Sequence, residues 1–226
     1  RRARGGHEQG RREIPPVAYN APDGAADLSQ IETVAREIAA AIPDYRVIVE
    51  KSTVPVETGE RVKRTIAKFV RPGLSFDVAS NPEFLREGSA LADALQPERI
   101  VIGCESPRAE KVLRELYAGF TGTFKATDIK SAELIKHASN SFLAMKISYI
   151  NAVAALCEKV GANVAEVARG MGLDRRIGPQ FLNAGLGYGG SCFPKDVAAF
   201  ARMARDAGTP IPLLDAVQAA NRDARE

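Results

Sequence analysis

Several absences narrow the chain before any motif is read. Apolar residues never run for the roughly 18 positions that a membrane-spanning helix needs. The longest such stretch, around Ile147 to Leu156, is broken by Ser148, Tyr149 and Asn151, so no transmembrane segment is expected. Cysteine is scarce. Cys104, Cys157 and Cys192 are odd in number and far apart, without the Cys-x-x-Cys spacing of a zinc site or a disulfide framework. No metal is expected, and the compartment is expected to be reducing, with cytoplasm as the default. The N-terminal arginines precede no apolar h-region, which argues against a secretory signal.

A basic folded face is also lacking. The formal charge is +3 over 226 residues, but five arginines and one glutamate fall within residues 1–12, a net of +4 that leaves the remainder at −1. A nucleic-acid reader carries Lys and Arg on a folded surface, interleaved with aromatics that stack bases. No such patch is present, and no nucleic-acid or membrane partner is expected.

Residues 1–22 combine Arg, Gly and Pro without periodicity, a composition that buries too little apolar surface to offset its ordering entropy; a disordered or aberrant tail is expected there. From Leu28 to Ala39 apolar residues recur at helical spacing, with Asp27 or Ser29 as caps. Strand and helix then alternate. The runs 46–50, 76–80, 99–103 and 124–127 read as strands, and 57–69, 89–95 and 108–120 as helices. This alternation predicts a parallel sheet with helices on both faces. After Asp128 the pattern becomes helical, with one helix over about 130–160 and shorter ones at 164–171, 194–207 and 213–225. The expected class is therefore α/β, a sheet unit over 23–128 followed by an all-α unit over 129–226. The long helix would measure about 45 Å, too long for one small domain to cover, which points to a domain boundary or a partner subunit.

Three clusters carry possible chemistry. In Gly185 to Asp196, GLGYGGSCFPKD, four glycines in six residues permit positive φ and close backbone approach, and Pro194 suits the first turn of a helix. Cys192 would sit just ahead of that helix, where unpaired N–H groups, the helix dipole and Lys195 favour a thiolate, a candidate nucleophile. A small buried cysteine beside a turn is the bland alternative, and the one that suits Cys104 and Cys157. In Asn81 to Gly88, NPEFLREG, Glu83 and Glu87 follow a strand end, where ligands of α/β sheets lie; they are either a general base and a cofactor contact or a solvated face. On the long helix Lys136 and Asn140 share a face and could donate to a developing oxyanion, or Lys136 is an ordinary surface lysine. His137 has no evident partner and reads as structural or exposed.

Together with KSTVPVETG (51–59), PERIVIG (97–103) and AELIKHASNSFLAMKISYIN (132–151), these segments resemble the UDP-glucose/GDP-mannose dehydrogenase family, from about Asp23 to Glu226. The resemblance implies a partial Rossmann-like sheet and a helical central dimerisation domain. It implies an NAD-dependent four-electron oxidation of UDP-glucose to UDP-glucuronate through a thiohemiacetal and thioester on Cys192. Lys136 and Asn140 would stabilise the oxyanion, Asp196 would orient or activate water, Glu83 would act in acid/base steps, and Thr53 would stand near the reacting centre. Thr53, Glu87 and Lys195 match cofactor contacts. Glu83, Phe84, Leu85, Lys136, Asn140, Phe181 and Gly189 match substrate positions, and Arg176 an arginine that reaches the neighbouring subunit's sugar in a homodimer. Tyr188 and Phe193 look closer to UDP-glucose members than to GDP-mannose ones, with GDP-mannose or another nucleotide sugar as the alternative substrate.

The departures matter too. No Gly-x-Gly-x-x-Gly follows a strand, so the pyrophosphate would lack its helix N-terminus. The first βαβ unit and the nucleotide-binding domain of relatives are expected to be missing, which would leave the activity impaired. Glu57 stands where a glycine is usual, and Ala152 departs from a common Asn-Glu. A reading of another class is a non-catalytic dimerisation module built on the apolar face of 134–156.

Overall fold

The computed structural model describes residues 26–226; the expected N-terminal tail, 1–22, lies outside that range. Helix α1 (Ser29–Ala41) leads into strand β1 (Arg46–Glu50), α2 (Thr58–Phe69), β2 (Phe76–Ser80), the short α3 (Ala90–Leu95), β3 (Arg99–Cys104), α4 (Pro107–Leu116) and β4 (Thr123–Thr127). The four strands form one sheet in the order β1-β2-β3-β4. Strand side chains alternate between its faces. Ile48 and Val78 pack with Ile31, Ala35, Val62 and Ile66 of α1 and α2, while Ala79, Ile100 and Ile102 pack with Leu113 of α4 on the other side.

One step departs from the parallel sheet that the alternation predicts. β1 and β2 pair in parallel, as do β3 and β4, but β2 and β3 are antiparallel, with Ala79 opposite Cys104 and Ser80 opposite Gly103. A parallel neighbour requires a crossover helix packed on a sheet face. Helix α3 is only six residues long and buries none of them, so the chain returns beside its own exit path. Asn81 continues that path, its side-chain amide donating to the Val101 carbonyl at 2.9 Å. Pro82 then has no N–H to give, and the ladder stops.

Beyond β4 the chain is helical: α5 (Ile129–Val160), α6 (Val164–Gly172), α7 (Phe193–Asp206) and α8 (Pro212–Asp223). Asp128 starts α5 by accepting from the Ser131 N–H, and Gly161 ends it in the left-handed region, φ 74°. The first turn of α5 rests directly on β3 at Gly103, where any Cβ would overlap the Asp128 carbonyl, Ile129 and Ala132. Farther along, Ala144 packs with Val197 and Ala201 of α7 and with Leu214 and Val217 of α8. Among the described residues no helix is long and apolar enough to cross a membrane.

The seam between sheet and helices is made from the turn that joins β1 to α2. The Glu133 carboxylate, buried on α5, accepts from the backbone N–H groups of Glu57 at 2.8 Å and Gly59 at 2.7 Å, supplying the anion that the α2 N-terminus favours. Burial pushes its pKa up to about 7, against those two bonds, with Glu50 and Glu60 adding to the rise. One helical turn later His137, wholly buried, donates from Nε2 to the Val54 carbonyl at 2.9 Å. Burial lowers its pKa, so the imidazole is neutral and structural rather than exposed.

Candidate active site

Cys192 occupies the N-cap position of α7, exposed, with Pro194 in the first turn. The segment before it turns sharply, with Gly187 at φ 80° and Gly190 at φ 77°, a region that side chains avoid. Two asparagines fasten this segment. Asn221 on α8 accepts from the Tyr188 N–H at 2.6 Å and donates to the Tyr188 carbonyl at 3.0 Å, and Asn151 on α5 accepts from the Gly185 N–H at 2.8 Å. The Tyr188 ring is buried and meets Phe193 edge-on, centroids 6.0 Å apart. Asn151 closes the 132–151 segment that carries the resemblance, but nothing in the spacing of either asparagine marks its role.

One turn into α7, Asp196 is 1% exposed and bound on both oxygens. Oδ2 accepts from Asn140 Nδ2 at 2.6 Å and Oδ1 from Lys195 Nζ at 3.0 Å. Asn140 and Lys136, four residues apart on α5, are buried as well, at 7% and 5% exposure. Burial removes the ordinary reading of Lys136 as a surface lysine, since a lysine is seldom buried without a task or a partner. The α7 cap bearing Cys192 is thus joined to the α5 donors through the Asn140–Asp196 bond.

Alongside lies a cavity of about 1000 Å³ whose wall includes Lys51, Glu83, Phe84, Leu85, Tyr117 and Phe181. Glu83, Phe84 and Leu85 come from the path after β2, as the sequence suggests. The Phe84 ring receives the Arg99 guanidinium at 4.2 Å and the Lys136 ammonium at 5.3 Å. Phe181 is held at φ 64° and meets Phe193 at 6.3 Å; a bulky residue kept in the left-handed region is strained, and such strain gathers at functional sites. Glu87 reaches the cysteine loop, where its carboxylate would stand 3.2 Å from any Cβ added at Gly190. Gly189 is exposed on the same loop, and Thr53 lies half-buried on the β1–α2 turn.

The lining of this cavity does not include Cys192, Lys136, Asn140 or Asp196, and it does not include Arg176. Arg176 is exposed on the loop after α6 and forks onto its neighbour Asp174 at 2.6 Å and 3.0 Å. Glu57 takes the left-handed conformation, φ 77°, which accounts physically for the glycine expected at that position. Cys157 is buried and Cys104 half-buried, as their bland reading requires.

Residues 130–223 match the central domain of the UDP-glucose/GDP-mannose dehydrogenase family and residues 16–121 its NAD binding domain, so the match begins within the segment assigned to the tail by composition. The chain is 50% identical over 202 residues to UDP-glucose 6-dehydrogenase TuaD of Bacillus subtilis, covering 89% of this chain and 44% of that protein. It is 52% identical over 204 residues to a UDP-glucose 6-dehydrogenase of Rhizobium meliloti, covering 88% and 46%. Among solved structures, a UDP-glucose dehydrogenase from Pyrobaculum islandicum superposes with a TM-score of 0.86 at 44% identity, over 93% of this chain and 48% of that one. A GDP-mannose dehydrogenase from Pseudomonas aeruginosa gives a TM-score of 0.67 at 30% identity, over 94% and 50%. The chain therefore spans about half the length of the relatives it matches.

Proposed function

Because the chain belongs to the UDP-glucose/GDP-mannose dehydrogenase family, we propose that it holds the chemical centre of a nucleotide-sugar 6-dehydrogenase acting on UDP-glucose. The observation that carries this reading is the buried Lys136–Asn140–Asp196 group beside the Cys192 cap. When bound, NAD would accept one hydride per molecule, so two NAD molecules in succession would serve the two oxidations. Thr53, Glu87 and Lys195 fit its reacting end, the Glu87 carboxylate lying close against Gly190 of the cysteine loop. No glycine turn follows a strand among the described residues to seat its pyrophosphate. Turnover by these 226 residues alone is accordingly expected to fall well below that of full-length relatives.

The chemistry of the chain's own residues follows from charge. The C6 alcohol gives up a proton and a hydride to reach the aldehyde, and the Cys192 thiolate adds to that carbon. Lys136 and Asn140 donate to the resulting oxyanion, in a site where exclusion of water strengthens both bonds. Loss of the second hydride leaves a thioester. A water oriented by Asp196, with Glu83 accepting its proton, displaces the thiolate and yields the carboxylate. An exposed row on α5, Phe142, Tyr149 and Leu156, supports a homodimer through that helix, with Arg176 reaching the partner's sugar. The three unpaired thiols suit a reducing, cytoplasmic setting.

The test pairs NADH release from UDP-glucose with protection of Cys192 against iodoacetamide by the same ligand. We expect slow NADH formation that Cys192→Ala abolishes, together with UDP-glucose-dependent protection. Unchanged NADH formation in the variant, or no protection in the parent, overturns the reading. Sedimentation as a stable monomer overturns the dimer.

A further inference from the structure

Lys51 is a cation that the chemistry above leaves unused. It follows β1, and its ammonium donates to Asn81 Oδ1 at 2.9 Å. Asn81 is itself immobile. It is 2% exposed, its backbone N–H donates to the Glu50 carbonyl at 2.8 Å, its side-chain amide to the Val101 carbonyl at 2.9 Å, and its oxygen accepts a second bond from the Tyr117 hydroxyl. That oxygen therefore has both lone pairs engaged and cannot swing away. The bond spends one of the three ammonium donors and aims the group along the cavity wall, which it shares with Glu83 and Phe84. Lys51 as a whole residue is exposed; the surroundings of its ammonium lower its pKa, with Glu83 opposing that shift and Lys136 adding to it.

We propose that Lys51 is a further ligand-binding residue of this cavity, a fixed ammonium that meets negative charge on the oxygens at C6 of the bound sugar and so favours the carboxylate over the alcohol. The inference rests on the reading that the sugar of a nucleotide sugar occupies the cavity. Its physical basis is a difference in ligand charge. An alcohol at C6 can take only an ordinary hydrogen bond from an ammonium, whereas a carboxylate or oxyanion takes a charge-assisted one, about twice as strong. Glu83 on the same wall would repel a carboxylate if it stood alone, and Lys51 offsets that repulsion. Lys136 and Asn140 serve the oxyanion from α5; Lys51 serves it from the turn that follows β1.

The test is calorimetric titration of the whole chain with UDP-glucose and with UDP-glucuronate, for the parent, Lys51→Met and Lys51→Arg, with the unfolding temperature of each recorded. Lys51→Met is expected to weaken UDP-glucuronate by roughly tenfold or more and UDP-glucose by less than about threefold. Lys51→Arg retains the charge and is expected to keep most of the preference. Equal weakening of both ligands, or no weakening of either, at an unchanged unfolding temperature overturns the role of Lys51. Should Lys51→Met unfold, loss of the preference in a folded Lys51→Arg overturns it in the same way. If the parent binds neither ligand, the sugar-site reading itself falls.

Discussion

Replacing Glu133 by glutamine is predicted to make the chain's stability less sensitive to pH between about 5 and 8. The carboxylate is buried, and its pKa is raised from 4.5 to about 7. A carboxyl group with a raised folded-state value holds its proton more tightly folded than unfolded. Its charge costs nothing below the unfolded value, and the cost then grows as pH rises, reaching its full size above the folded value. At about 1.4 kcal/mol per unit, the shift amounts to roughly 3 kcal/mol. Glutamine abolishes that titration but keeps one acceptor for the N–H groups of Glu57 and Gly59, with its amide facing the other. The variant thus carries a pH-independent loss of about 1–3 kcal/mol, and only the slope is diagnostic. Urea unfolding of both proteins across this range should give a stability difference that moves by roughly 2–3 kcal/mol in favour of the variant as pH rises. A constant difference, or one moving the other way, would show that the two N–H bonds and the α2 dipole hold Glu133 ionised throughout, and would refute the reasoning.

Three shorter predictions follow from the same geometry. Glu57→Gly relieves a left-handed backbone, φ 77°, and loses only exposed contacts to Lys130; unfolding should give a gain of up to about 1 kcal/mol, and a loss beyond that size would contradict it. Asn221→Ala strips the Tyr188 backbone of both buried partners and should cost about 2–4 kcal/mol, with faster amide exchange over residues 185–190; exchange that stays slow there would mean the cysteine loop is held by something else. Iodoacetamide should modify Cys192 first and Cys157 only on unfolding, with Cys104 slow because burial pushes its pKa up. Peptide mapping that finds Cys157 labelled in the folded chain would contradict the packing of α5.

Elements of the fold were legible wherever apolar residues repeat and turns carry Gly, Pro, Ser or Asp, as at Pro194 in the first turn of α7. The antiparallel step was not. Residues 81–98 contain a helical stretch of the right composition for a crossover, and only burial distinguishes a helix that covers a sheet from one that lies beside it. Within the site, the glycine–cysteine loop and the Lys136/Asn140 pair could be read because each is local, one by composition and the other by helical spacing. Lys51, Tyr117, Asn151 and Asn221 could not, since their hydrogen-bond partners lie about thirty residues or more away in sequence.

The residues of α5 that hold the seam follow from the same periodicity that placed Lys136 and Asn140 together. Glu133 and His137 are four apart, as are Lys136 and Asn140, so the two pairs form adjacent rows on one helix face. The second row meets Asp196, and through it the cap of Cys192; the first grips the turn from Val54 to Gly59 that follows Lys51 and Thr53. One rigid helix therefore sets the distance between the cation that follows β1 and the helix-borne donors. This explains why α5 buries so many polar side chains where apolar ones would pack at less cost. It also implies that replacing His137 by Phe, which leaves the Val54 carbonyl without its donor, would loosen the 51–59 segment in hydrogen exchange while leaving the Asn140–Asp196 bond intact.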